Sequence, residues 1–101
     1  MTYQIPKQIK AGPYVYAVKR ASVELSHDGR VAETSHVSLE MRFAPSSVGS
    51  HLPVSLMHEI INVCNWLAEV GLKEKQVTQL GHALTAILQD LDLYPREMTL
   101  E

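Results

Sequence analysis

A single cysteine, a single tryptophan and a single phenylalanine stand among the 101 residues. One cysteine cannot form an internal disulfide, so an ordinary apolar core must hold the fold, and the unpaired thiol suits a reducing, cytoplasmic setting. No apolar run approaches the roughly 18 residues that cross a bilayer, and the stretch from Met1 to Gly12 has no hydrophobic signal core. Basic charge is scarce too. Nine Lys and Arg against eleven Asp and Glu leave a net charge of −2, with the cations scattered, so no positive field points to nucleic acid or an anionic membrane. A Gly-rich phosphate loop, a metal-ligand spacing and an acid pair placed for catalysis are all missing. The expectation is therefore a non-enzymatic chain with no cofactor and no metal.

What is present suffices for folding. At 46% apolar and 20% charged the composition is too hydrophobic for disorder, and 101 residues support one core. The organisation expected is an irregular N-terminal arm over 1–13, broken by Pro6, Gly12 and Pro13 but pinned by Ile5 and Ile9, then one domain over 14–93. A tail over 94–101 follows, and its final Leu100-Glu101 reads as a vector-derived scar.

The strongest periodic signal runs from Leu52 to Leu93. From Pro53 to Val70, apolar residues at 53, 56, 57, 60, 63, 64 and 67 recur at helical spacing, with Pro53 in the first turn and Gly71 at the left-handed position past the end. A Schellman ending there sets Leu72 against Leu67. A second helix is expected from about Lys73 to Leu93, with Val77, Leu80, Gly81, Leu84, Ile87, Leu88 and Leu91 along one side and Gln76, Gln79, His82, Gln89 and Asp90 opposite. Glycine in a helix interior costs roughly 1 kcal/mol relative to alanine. Gly81 is therefore expected to mark a close approach to the first helix, and Gly81→Leu to separate the pair.

Upstream, Tyr14 to Leu25 and Arg30 to Phe43 alternate and are rich in β-branched residues, with Ser26-His27-Asp28-Gly29 between them, the pattern of a β-hairpin. A three-residue turn closing Ser26 on Arg30 gathers Val15, Ala17, Ala21, Val23 and Leu25 with Val31, Val37, Leu39, Met41 and Phe43 on one mainly apolar face. That register is preferred. The two-residue alternative, with Asp28-Gly29 as the loop, brings Tyr14, Tyr16 and Val18 to the face of Leu39, Met41 and Phe43. Pro45, Ser46, Ser47, Gly49 and Ser50 then make a flexible connection. The fold expected is α+β, a β-hairpin followed by an αα-hairpin in the order ββαα, with the helices packed on one face of the sheet. Two strands alone are marginal and leave long edges, so a second copy completing the sheet is the natural supplement.

Around Gly71 the chain resembles a helix-turn-helix over Trp66 to His82. Val70, Gly71, Leu72, Val77 and Leu80 fit the apolar pattern, while Leu67 stands where that motif usually has alanine. The resemblance implies Lys73, Lys75, Thr78, Gln79 and His82 as groove-facing residues of a DNA-binding protein. Glu74 among them and the acidic balance weigh the other way. On the first helix, His58, Asn62, Asn65 and Glu69 share one stripe, but His58 and Glu69 lie about 16 Å apart at 1.5 Å per residue, too far for one ion. A solvated helix face accounts for them, and a place in the core accounts for Cys64. On the sheet, Tyr14, Tyr16, Arg20, His36 and Arg42 share the second face of the preferred register and are the candidate interface residues. The function expected is a cytoplasmic homodimer acting as a protein-interaction or assembly module.

Overall fold

The computed structural model describes residues 2–21 and 32–101. The Ser26 to Gly29 turn, and with it the register argument built on that turn, lies outside these residues. Among the described residues eight elements follow one another: β1 (Tyr3–Gln4), β2 (Gln8–Ala11), β3 (Tyr14–Arg20), β4 (Ala32–Ser35), β5 (Glu40–Phe43), α1 (Leu52–Leu67), α2 (Glu74–Asp90) and β6 (Met98–Thr99). The class is α+β, with the main sheet preceding the two helices, as the hydrophobic patterning implies.

The strand pairing differs from a single long hairpin. The main sheet has the order β2-β3-β5-β4, so β3 lies beside β5 and runs parallel to it, while β2 and β4 are antiparallel edges. Two short hairpins replace the one expected. The first turns at Gly12-Pro13, where Ala11 faces Tyr14; Gly12 has φ +60°, and proline cannot follow it into positive φ, which is the type II′ geometry that suits a two-residue hairpin. The second turns over residues 36–39, with Leu39 in the left-handed region at φ 56°. The arm expected to be irregular thus supplies an edge strand, β2, and half of a second sheet. In that second sheet β1 and β6 pair in parallel, Tyr3 opposite Met98, and the Ile5 amide donates to the Thr99 carbonyl at 2.9 Å.

The face of β3 turned to the core is also the opposite of the preferred one. Tyr16 and Val18 are buried beside Met41 and Phe43, while Val15 is 43% exposed and Val37, expected inside, is 97% exposed. Large residues at 14, 16 and 18 fill the space beneath a helix; the small Ala17 and charged Lys19 at the intervening positions suit the outer face. There Lys19 pairs with Glu40 and Arg42 with Glu33. Glu40 has its carboxyl held below the usual range by the Lys19 hydrogen bond and charge.

Leu52, Leu56 and Val63 of α1 pack on the inner face of the sheet with Tyr16, Val18, Met41 and Phe43, and Ile5 and Met98 close the same core. The other helix, α2, lies on the same side but packs on α1, where Met57, Ile61 and Val77 form a second cluster. The expected close approach is present: an added Cβ at Gly81 would meet His58 Cα at 3.6 Å and its amide nitrogen at 3.7 Å. Tyr94, whose hydroxyl donates to the Pro53 carbonyl at 2.7 Å, ties the tail back over this layer. Leu100, set aside as a cloning remnant, packs against the main core.

Helix endings depart from the glycine rule. α1 stops at Leu67, three residues before the expected end, and Glu69, at φ 50°, takes the left-handed position while the Val70 amide reaches the Asn65 carbonyl. The same arrangement ends α2, with Asp92 at φ 56° and the Leu93 amide on the Leu88 carbonyl at 2.8 Å. Gly71, at φ +83°, serves the interhelical loop instead. Asn65 clamps that loop by accepting from the Leu72 amide at 2.9 Å and donating to the Leu72 carbonyl at 3.1 Å.

Candidate functional site

Two features of α2 invite a functional reading, one on each side of the helix. The first is an apolar stripe. Toward α1 the helix presents Val77, Gly81 and Thr85, a narrow and mostly small face. Its larger apolar residues point outward instead: Leu80 is 41% exposed, Leu84 38%, Ile87 56% and Leu91 58%. The expected single core-facing stripe is therefore split in two, because α1 covers only half of an apolar arc too wide for one neighbour. The outer half recurs at spacings of four, three and four, the seam of a coiled coil, over about 16 Å of helix. Ala83 and Ala86 are also exposed on this helix, so little bulk would hinder a second helix approaching the seam.

On the other side, a cleft of about 590 Å³ opens between β4, α1 and α2. Its lining includes Thr34 from β4, His58, Glu59 and Asn62 from α1, and Glu74, Thr78 and His82 from α2, with Gly81 and Val54 as apolar wall. Glu59 sits deepest, 2% exposed, and accepts a 2.7 Å hydrogen bond from the Thr34 hydroxyl. Burial pushes its carboxyl above the ordinary range, against the opposing influence of the Thr34 bond, the His58 ring and an Asn62 bond. His58 donates from Nε2 to Glu74 Oε1 at 2.9 Å across the mouth. His58 and Asn62, assigned to a solvated face from the sequence, thus belong to a recess; no periodicity of α1 alone reveals that β4 and α2 wall it in.

The five sheet residues singled out from the sequence do not form a common face. Tyr16 is fully buried, its hydroxyl 2.9 Å from His36 Nδ1, and burial raises the phenol and lowers the imidazole from their usual ranges. His36 stacks on Trp66 at 4.6 Å between centroids and 4° between planes, and Tyr14 meets the same indole edge-on at 5.2 Å. Arg20 donates to the Ala44, Ser47 and Leu100 carbonyls, and Arg42 lies on the outer sheet face beside Glu33. Four of the five side chains therefore brace the fold from within, and only Arg42 lies on the open face.

Of the residues that the helix-turn-helix resemblance implies, Thr78 and His82 line the cleft, whereas Lys73, Lys75 and Gln79 are exposed. Six residues separate the two helices, more than the three or four of that motif's turn. Cys64, expected in the core, is exposed. Among the described residues no three His, Cys, Asp or Glu side chains are grouped to share a metal ion, and no helix is long and apolar enough to cross a membrane. No protein-family model, curated protein or solved structure matches the chain.

Proposed function

We propose that this chain is a non-enzymatic assembly module that pairs with a second copy of itself through the outward stripe of α2. The observation carrying this reading is that α2 turns its small face to α1 and its large apolar face, Leu80, Leu84, Ile87 and Leu91, to solvent. The sheet is a weaker reason for a dimer than two strands alone would be, since the described residues already supply four strands to it. The helix supplies a better one. A seam with coiled-coil spacing is self-complementary, because a two-fold axis across it sets the same apolar rows against each other.

Full burial of such a side chain yields roughly 1.5–3 kcal/mol. Four half-exposed residues from each copy therefore offer on the order of 10 kcal/mol, against an association cost of about 4–15 kcal/mol. Even at the low end of that cost the balance leaves about 6 kcal/mol, which corresponds to a transient dimer with a Kd of tens to hundreds of micromolar and not to a permanent one. A reducing, cytoplasmic compartment suits it, given an exposed and unpaired Cys64.

Sedimentation equilibrium from about 1 μM to about 1 mM brackets that affinity. A mass rising from monomer to dimer is expected, with Ile87→Glu holding the chain monomeric and Val15→Glu, on the outer sheet face, leaving the dimer intact. A monomer mass at every concentration, or a dimer indifferent to Ile87→Glu, overturns the proposal. Salt-sensitive binding to mixed duplex DNA by a chain that stays monomeric would transfer support to the Gly71 joint as a DNA-binding element.

A further inference from the structure

We propose that the cleft between β4, α1 and α2 is a binding site for a primary ammonium group carried on a short aliphatic stem, with Glu59 as its counter-ion. This goes beyond self-association and uses the opposite side of α2. The cleft volume of about 590 Å³ lies within the usual range of small-ligand sites, roughly 300–1,000 Å³. Among the described residues its charge is one-sided: Glu33, Glu59 and Glu74 line it, and no described Lys or Arg does. Glu33 is engaged by Arg42 and Glu74 by His58, both toward the rim. Glu59 is different. It is the buried one, and the groups around it are the Thr34 hydroxyl, the Asn62 side chain, the His58 ring and the Glu74 carboxylate, with no Lys or Arg bridging it among the described residues.

Glutamine at this position would accept the Thr34 hydrogen bond through its carbonyl and could donate to an Asn62 side chain turned over, without the cost of burying an ion. What a carboxylate adds is negative charge at the bottom of a recess. A primary ammonium has three donors and no acceptor. The acceptors beside Glu59 match it: the Thr34 hydroxyl, whose proton is already given to Glu59, and the Asn62 side-chain carbonyl. Val54, Ala32 and the bare Cα of Gly81 provide apolar wall for methylene groups. A divalent cation fits less well, because the cleft does not bring three His, Cys, Asp or Glu side chains together as ligands.

The test is an NMR titration of the ¹⁵N-labelled full chain with n-butylammonium chloride at constant ionic strength, with n-butanol as the uncharged control. Saturable shifts at the amides of Thr34, His58, Asn62 and Gly81 are expected, with n-butanol at least tenfold weaker. Glu59→Gln keeps the shape of the side chain and the Thr34 hydrogen bond, and Asn62 can turn its carbonyl to the new amide, so its folded spectrum should persist while affinity for the amine falls at least tenfold. Nα-acetyl-lysinamide forms a second arm: affinity equal to or above that of n-butylammonium assigns the site to lysine side chains of a protein, and lower affinity assigns it to free amines. Non-saturable shifts, equal binding of n-butanol, or identical curves for wild type and a folded Glu59→Gln overturn the proposal. Ile87→Glu separates this result from the dimer, since amine binding should survive in that variant whether or not the chain self-associates.

Discussion

Substituting Gly81 measures how tightly α2 lies on α1. A methyl group built there meets His58 Cα at 3.6 Å, the His58 amide nitrogen at 3.7 Å and its Cβ at 3.8 Å, all ordinary van der Waals separations. The backbone at Gly81 is helical and not in the left-handed region, so alanine is unstrained. Removing glycine from a helix interior contributes about 0.8–1.0 kcal/mol, and the new methyl fills space that is neither void nor overfull. Gly81→Ala should therefore stabilise the chain by roughly 0.5–1 kcal/mol, a rise in Tm of about 2–8 °C for a domain of this size. Gly81→Leu adds three more carbons beyond a methyl that is already in contact and should cost about 1–3 kcal/mol by forcing the helices apart. Thermal unfolding followed by circular dichroism at a low protein concentration, where association contributes least, reads both. A loss of stability in Gly81→Ala would refute the reasoning, because it would mean that the two backbones approach more closely than 3.6 Å from that methyl allows.

Three further outcomes follow from particular residues. Glu69 holds a left-handed conformation at φ 50° that favours glycine, so Glu69→Gly should stabilise by up to about 1 kcal/mol in chemical denaturation, whereas the same change at an exposed helical site such as Lys75 should destabilise. The buried Glu59 carboxyl is raised by desolvation, so the contribution of Glu59 to stability is full below the carboxyl's unfolded pKa and is lost as pH rises through its folded value; Glu59→Gln should then be the more stable chain at neutral pH, with the gap closing in acid. His36 is lowered by burial, so its contribution is full above its unfolded value near 6.5 and is lost as pH falls toward the folded one. Protonation puts a hydrogen on Nδ1 and obliges the Tyr16 hydroxyl to turn, so fluorescence of the stacked Trp66 should titrate with an apparent pKa below 6.5 and lose that transition in His36→Phe.

The parts of the fold that could be read in advance are those set by local chemistry. Helical periodicity from Pro53 onward, Pro53 in the first turn and the burden of Gly81 inside a helix each have one physical explanation, and each is present. The Gly12-Pro13 hairpin was legible as well, since Gln8 to Ala11 alternates and a glycine-led pair follows; two prolines and a glycine in so short a stretch outweighed that signal. Pairing β3 with β5 in parallel was not legible, because alternation specifies which residues share a face and never which strand lies alongside. The inward face of β3 turned on whether Tyr or Val and Ala sit beneath a helix, a question that depends on the depth of the layer above. The recess around Glu59 was least accessible of all, since it draws on three elements whose relative placement no local pattern encodes. Similarly, the outward half of the α2 stripe looks identical to a core stripe until the width of α1 is known.

The clasp between β1 and β6 bears on how the chain reaches its native state. Ile5 and Met98 occupy the same core although 93 positions separate them, and Tyr3 lies opposite Met98 in the small parallel ribbon. A growing polypeptide can build its helical layer early, yet the apolar cluster remains unsealed until Met98 and Thr99 are available to pair with β1. The arrival of β6, more than any local nucleation, then governs when this domain first becomes resistant to proteases.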